Sequence, residues 1–225
     1  ARWAYAFIFL LVMGMCYTLP VTPVLSALGV IWVLVAVAVV RYPKLVGLWE
    51  PVPVRAGLGV VLIAGAWLAL NHLRTGALSL GVVESNLLLI LYAFLVVWAA
   101  DIGAYFAGRA VGKRKLAPSV SPGKTLAGVA GGLVAVALLA TATGAWAQLT
   151  GSGFVEFLTV SLVAAIASVF GDLMESMFKR YRGIKDSSHL LPGHGGVLDR
   201  VDSLLAAIPV LALCFTFLGW LVPAG

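Results

Sequence analysis

Long apolar stretches alternate with short polar ones along the whole chain, and seven of the apolar stretches read as membrane spans. A span needs about 20 predominantly apolar residues at about 1.5 Å rise each. By that measure the spans run approximately 3–19, 21–40, 56–73, 86–107, 126–149, 154–178 and 203–222. The expected fold is an all-α, polytopic membrane bundle of about seven transmembrane helices. Pro20 and Pro23 leave only a tight turn between the first two spans, which predicts a helical hairpin. The proline-broken, Trp49-bearing segment 43–53 is expected to lie along the membrane interface. Gly128 and Gly132, four residues apart in the fifth span, fit close helix packing. Residues 1–80 are read as N-terminal scaffold helices, and residues 81–225 as a core that carries two polar loops, 108–125 and 179–202.

Composition agrees with this reading. The 225 residues are 62% hydrophobic and 11% charged, against about 45–50% and about 25% in soluble domains, which excludes a soluble globular enzyme and a disordered chain. Cys16 and Cys214 both lie in apolar runs, so each is expected to be a small buried hydrophobe, not half of a disulfide. A net charge of +6 would suit nucleic acid only if a basic solvated domain existed, and none does; nucleic acid is excluded as a partner. Position is more informative than the total. Arg2, Arg41, Lys44, Arg55, Arg109, Lys113, Arg114, Lys115, Lys124, Lys179, Arg180, Arg182, Lys185 and Arg200 all fall on one side of the predicted topology, and only Arg74 falls opposite. The positive-inside bias makes that side cytoplasmic and puts the C-terminus outside. Ala1-Arg2-Trp3 begins no signal-peptide pattern, and the numbering is expected to begin inside a longer precursor.

Acids within spans are expensive and mark function by default. Asp101 lies about two turns from the cytoplasmic end of the fourth span, and Asp172 and Glu175 lie about two turns and one turn before the basic end of the sixth. Ser168, Asp172, Glu175, Ser176 and Lys179 recur at three- and four-residue steps, so they share one face of an otherwise apolar helix. Asp199 and Asp202 repeat the three-residue step, and Ser203 follows; both carboxylates point the same way if that segment is helical. Carboxylates converging on one cytoplasmic cavity among cations suggest a hard divalent metal with a phosphorylated substrate, magnesium before others. A salt-bridge network among Asp172, Asp199, Arg200 and Lys179 is the structural alternative. An ion pathway is disfavoured because the acids gather at one membrane edge.

The first polar loop ends Ser121-Pro122-Gly123-Lys124-Thr125, which imitates the end of a P-loop; Pro118 stands where the motif needs glycine and no strand is expected before it, so a Walker motif is rejected. Ser121, Lys124 and Thr125 instead precede the fifth span, where free N–H groups and the helix dipole favour a phosphate. In the second loop, Gly193, Gly195 and Gly196 let backbone approach a polyphosphate, Lys185 and Arg200 can neutralise it, and His194 stands between glycines; His189 reads as a surface residue.

From Ser176 to Asp202 the order Ser, Lys-Arg, Lys-Asp, Leu-Pro, His-Gly-Gly, Asp-Arg-x-Asp resembles the signature of the phosphatidate cytidylyltransferases, the CDP-diacylglycerol synthases. Residues 100–105 and 120–125 also look like that family, so the resemblance covers roughly residues 90–205; members commonly carry additional N-terminal spans. It implies a magnesium-dependent reaction of CTP with phosphatidic acid, giving CDP-diacylglycerol and pyrophosphate for phospholipid synthesis, with one metal ion or two. On this resemblance Asp172, Asp199 and Asp202 are the metal ligands, joined by Glu175 and more weakly by Asp186, with Asp101 orienting a ligand or a substrate group from behind. Asp172, Asp199, Asp202, Lys185 and Arg200 are the catalytic set; Lys124, Lys179, Ser121, Arg109, His194, Gly195 and Gly196 are substrate contacts. The lipid's phosphate is already ionised, so no general base is required and His194 is assigned binding. The expected setting is the inner (plasma) membrane, multi-pass, with the site facing the cytoplasm, the bilayer as partner and a homodimer left open. The alternatives are a CDP-alcohol phosphotransferase, whose aspartate pattern is not found, and a transporter of an anionic solute, which predicts broken helices at the midplane.

Overall fold

The computed structural model describes residues 2–16, 18–188, 190 and 195–223. Its helices are α1 (Arg2–Cys16), α2 (Val21–Val40), α3 (Val46–Trp49), α4 (Val52–Thr75), α5 (Asn86–Val111), α6 (Leu126–Trp146), α7 (Gly151–Tyr181) and α8 (Leu198–Phe217). Short strands β1 (Ala77–Leu78), β2 (Lys115–Ala117), β3 (Ser121–Thr125) and β4 (Leu221–Val222) complete it. Each expected span holds a helix, and the protein is an all-α polytopic bundle. Six helices are long and apolar enough to cross a membrane. The exception is α1, whose 15 described residues reach about 22 Å against a hydrocarbon core of about 30 Å.

The centre of the bundle is α8. Leu204, Leu205, Ala206, Ala207 and Ile208 are all buried, and a helix apolar around its whole circumference must be surrounded; α2, α4, α5 and α7 pack on it. The outer helices instead show an exposed apolar face, as at Val30, Val33, Leu34 and Val37 of α2, the pattern of a lipid-facing surface. Along the α5–α6 contact a Cβ on Gly132 would stand 2.6 Å from the Ala100 carbonyl oxygen, so that glycine serves close packing as its spacing predicted. Both cysteines are free.

The two ends of the bundle differ. At one, β1 pairs antiparallel with β4 and His72 Nε2 lies 2.9 Å from Thr216 Oγ1. At the other the cation-bearing connections meet: Tyr181 donates to Glu50 (3.0 Å), Arg180 to the Val120 carbonyl (3.3 Å), and Trp49 packs edge-on against Phe178 and Tyr181. Both polar loops are shorter than expected. Helix α7 continues through Tyr181 and α8 begins at Leu198, because the polar stripe and the Leu198–Val201–Leu205 spacing keep helical period beyond the apolar limit. The 108–125 loop contains the antiparallel β2–β3 hairpin, so a strand does precede Gly123-Lys124-Thr125; those residues lie on β3 itself, and the Walker geometry stays excluded.

Candidate functional site

Helix α7 presents its polar stripe where α8 crosses it. A Cβ on Gly171 would stand 2.4 Å from the Asp202 carbonyl oxygen; only glycine lets the helices approach this closely, which brings Asp172 and Glu175 beside Asp199 and Asp202. The early start of α8 makes both of its aspartates helical and puts them on the same side, into a cavity of about 460 Å³ lined by Asp101, Asp172, Glu175, Asp186, Asp199 and Asp202 together with Lys179 and Arg200.

Lysines hold the acids. Lys179 Nζ lies 2.6 Å from Glu175 Oε2 and 2.6 Å from Asp199 Oδ1. Lys124, brought over by β3, lies 2.6 Å from Asp172 Oδ2, and Ser176 donates to Asp172 Oδ1 at 3.2 Å. Asp199 is further engaged: its Oδ2 accepts from the Ser187 amide (3.0 Å), the Ser187 hydroxyl (2.7 Å) and the Gly196 amide (2.7 Å). It pins Ser187 and Gly196 of the α7–α8 connection to the first turn of α8. A Cβ on Gly196 would stand 2.0 Å from Ser187 Oγ, so glycine is required for that closure. Asp202 Oδ1 accepts from the Ser203 amide at 2.7 Å.

Asp101 lines a second cavity as well, about 420 Å³ between α5, α6 and α7. Ala104, Gly128, Gly132 and Leu133 make its walls apolar, and Arg109 and Lys124 stand at its polar edge. Arg109 donates to Tyr105 Oη at 3.0 Å. Thr125 Oγ1 accepts from the Gly128 amide (3.0 Å) and caps α6, which uses one of the donors that the sequence offered to a phosphate.

The structure thus gathers Asp101, Asp172, Glu175, Lys179, Asp186, Asp199, Arg200 and Asp202 in one cavity, with Lys124 bridging to it and Arg109 in the adjoining groove. Lys185 is exposed and outside both cavities, and Ser121 lines neither. Gly195 and Gly196 belong to the closure around Asp199; His189, Gly193 and His194 lie outside the described residues. Ser187 had not been singled out, although a serine just after Lys185-Asp186 offers a hydroxyl and an amide to a nearby carboxylate.

A family model of the cytidylyltransferase family matches residues 1–218. The chain belongs to the cytidylyltransferase family. A Pseudomonas aeruginosa protein named phosphatidate cytidylyltransferase is 46% identical over 224 residues, which cover 99% of this chain and 80% of that protein. A Haemophilus influenzae protein of the same name is 44% identical over 195 residues, 83% of this chain and 66% of that one, and a Bacillus subtilis protein so named is 47% identical over 128 residues, 57% and 47%.

Magnesium is the ion that the family resemblance implies. Among the described residues no three His, Cys, Asp or Glu side chains converge closely enough to hold a metal ion. The donor chemistry of the acidic cavity nonetheless fits one: every acid lining it offers hard oxygen, and Glu175 Oε1 is buried with no hydrogen-bond partner among the described residues. Ammonium groups already stand between carboxylates, Lys179 between Glu175 and Asp199 and Lys124 on Asp172.

Proposed function

We propose that the chain catalyses transfer of the cytidylyl group of CTP to phosphatidic acid, releasing pyrophosphate and leaving CDP-diacylglycerol in the bilayer. The observation that carries this reading is the meeting, at Asp101, of an acid-lined cavity at the cation-bearing end of the bundle with an apolar groove between α5 and α6. A nucleotide and a lipid phosphate need those two environments side by side. The lipid's acyl chain lies along Ala104, Gly132 and Leu133, and Arg109 and Lys124 receive its phosphate.

In the reaction a phosphate oxygen of the lipid forms a bond to the α-phosphorus of CTP, and the bond from that phosphorus to the bridging oxygen of the β-phosphate breaks in line. Because the attacking oxygen is already ionised, no side chain need take a proton. Lys124 orients the attacking phosphate, while Arg200 in the acidic cavity and Lys185 outside it neutralise the departing pyrophosphate. Asp172 and Asp202 would hold magnesium, with Glu175 beside them and Asp199 fixing the connection; the ion would supply charge neutralisation along the triphosphate. The cation-bearing end, with five cations in each of residues 108–125 and 179–202, is the cytoplasmic one on this reading, and the membrane is the inner membrane.

The test is incorporation of label from CTP into a chloroform-soluble product by the purified protein with magnesium. Product forms only when phosphatidic acid is supplied. Absence of product, with uptake of an anionic solute by liposomes carrying the protein, would replace this reading with transport.

A further inference from the structure

A third cavity, about 550 Å³, lies between α1, α4, α7 and α8, within the range of about 300–1,000 Å³ that ligand cavities occupy. Leu58, Leu62 and Ile63 of α4, Met174 and Phe178 of α7 and Leu205 of α8 make it apolar, and Arg55 and Arg182 stand at its rim. Helix α1 borders it through Tyr5, which donates to the Ala56 carbonyl at 3.2 Å. The rest of α1 is held loosely: Phe7, Ile8 and Leu11 are each more than half exposed. These apolar side chains beside the cavity face outward, as on a lipid-facing surface.

Neither arginine forms a salt bridge among the described residues. Arg55 lies 5.0 Å over the Tyr181 ring. Two guanidinium groups at the mouth of an apolar cavity match a phosphate joined to an acyl chain.

We propose that this cavity is a second anionic-lipid site, which takes an acyl chain of a negatively charged phospholipid and holds its headgroup phosphate on Arg55 and Arg182. It is separate from the α5–α6 groove. That groove meets α7 at Ala165 and Val169, this one at Met174 and Phe178 on the opposite face of the helix, and the two share no lining residue. The site nevertheless borders the acidic cavity, because Glu175 and Lys179 line both. A headgroup bound there would lie one side chain from the acids. The proposal requires only that the chain is a membrane protein and does not depend on the transferase reading.

Photo-crosslinking without CTP separates the two. The full chain in nanodiscs is irradiated with a phosphatidylglycerol that carries a diazirine on one acyl chain. Adducts are expected on Leu58, Leu62, Ile63 or Leu205, and unlabelled phosphatidylglycerol, unlike phosphatidylcholine, is expected to suppress them. Each arginine near a membrane surface contributes about fivefold to retention of an anionic lipid, so Arg55→Gln/Arg182→Gln lowers the yield about 25-fold while Arg74→Gln leaves it unchanged. Adducts confined to α5 and α6, suppression by phosphatidylcholine equal to that by phosphatidylglycerol, or undiminished labelling of a folded double variant overturns the proposal. If the double variant does not fold, the competition on the unaltered protein decides.

Discussion

Replacing Lys179 by methionine tests the electrostatic design of the acidic cavity directly. Its ammonium group lies 2.6 Å from one oxygen of Glu175 and 2.6 Å from one of Asp199, and the two acid side chains are only 4% and 8% exposed. Without it, two carboxylate oxygens no more than about 5 Å apart face each other, a repulsion of about 3 kcal/mol at an effective dielectric constant of about 20. Breaking one partner out of a buried pair costs about 3–5 kcal/mol in general, so about 3 kcal/mol is a conservative expectation. For a chain of this size that lowers the thermal midpoint by about 6–12 °C. The assay is the fraction remaining monodisperse on size exclusion after heating in detergent, compared among Lys179→Met, Lys179→Arg and the double variant Lys179→Met/Glu175→Gln. Lys179→Arg keeps the charge and stays near wild type. The double variant recovers at least half of the loss, since Asp199 retains Ser187 and Gly196 as donors. A midpoint for Lys179→Met within about 1 °C of wild type, or a double variant no better than the single one, would refute the reasoning.

Four further outcomes are expected. Ser187→Ala removes a 2.7 Å hydrogen bond to an ionised acceptor, worth about 1.5–3 kcal/mol; amide exchange at Gly196 accelerates and turnover falls, whereas Ser187→Thr keeps both near wild type. Gly171→Val forces α7 and α8 apart where a Cβ already meets the Asp202 carbonyl at 2.4 Å, with about 1–3 kcal/mol lost to overpacking and transfer of label from CTP abolished. Lys124→Ala lowers turnover at least tenfold (on the order of one hydrogen bond to a charged group) yet changes stability by less than about 1 kcal/mol, because the Lys124–Asp172 pair is about a third exposed; Lys115→Ala is mild in both. Chelation of divalent ions stops turnover, and magnesium at about a hundred times its dissociation constant stabilises the folded protein by about 2.7 kcal/mol, a thermal shift that Asp172→Asn/Asp202→Asn removes.

The α7 stripe was legible because a helix repeats its faces every three to four residues, and five polar side chains in an apolar segment can obey that period only by sharing a side. The same rule anticipated that Asp199 and Asp202 align, but left open whether α8 had begun by then; the structure starts it at Leu198. Apolar length alone set the loop boundaries too wide, since polar residues that line a cavity still belong to the helix. The β2–β3 hairpin was invisible: Lys115–Ala117 and Ser121–Thr125 show no alternation, and Pro118 and Pro122 speak against strands. Partner choice was also beyond local pattern. Nothing in the order of residues says that Lys124 reaches Asp172 or that Ser187 and Gly196 close on Asp199, because those pairings are made by how α6, α7 and α8 pack. Arg55 was legible only as one cation of its connection; that it lies over the Tyr181 ring depends on how α4 and α7 pack.

The two lysine bridges of the acidic cavity differ in a way that bears on the proposed chemistry. Lys179 is the more enclosed, 18% exposed between acids that are 4% and 8% exposed, and moving it would strand two charges in a poorly solvated place. Lys124 and Asp172 are 27% and 31% exposed, so their separation is largely compensated by water, and Lys124 rides on a short hairpin instead of a helix. Lys124 also lines the apolar groove, while its partner Asp172 lines the acidic cavity. It is therefore the ammonium group that can leave a carboxylate for a lipid phosphate at little electrostatic cost, and its departure frees an oxygen of Asp172 just where a cation accompanying the nucleotide would need one. Enclosure makes one bridge a fixture of the fold, and exposure makes the other exchangeable.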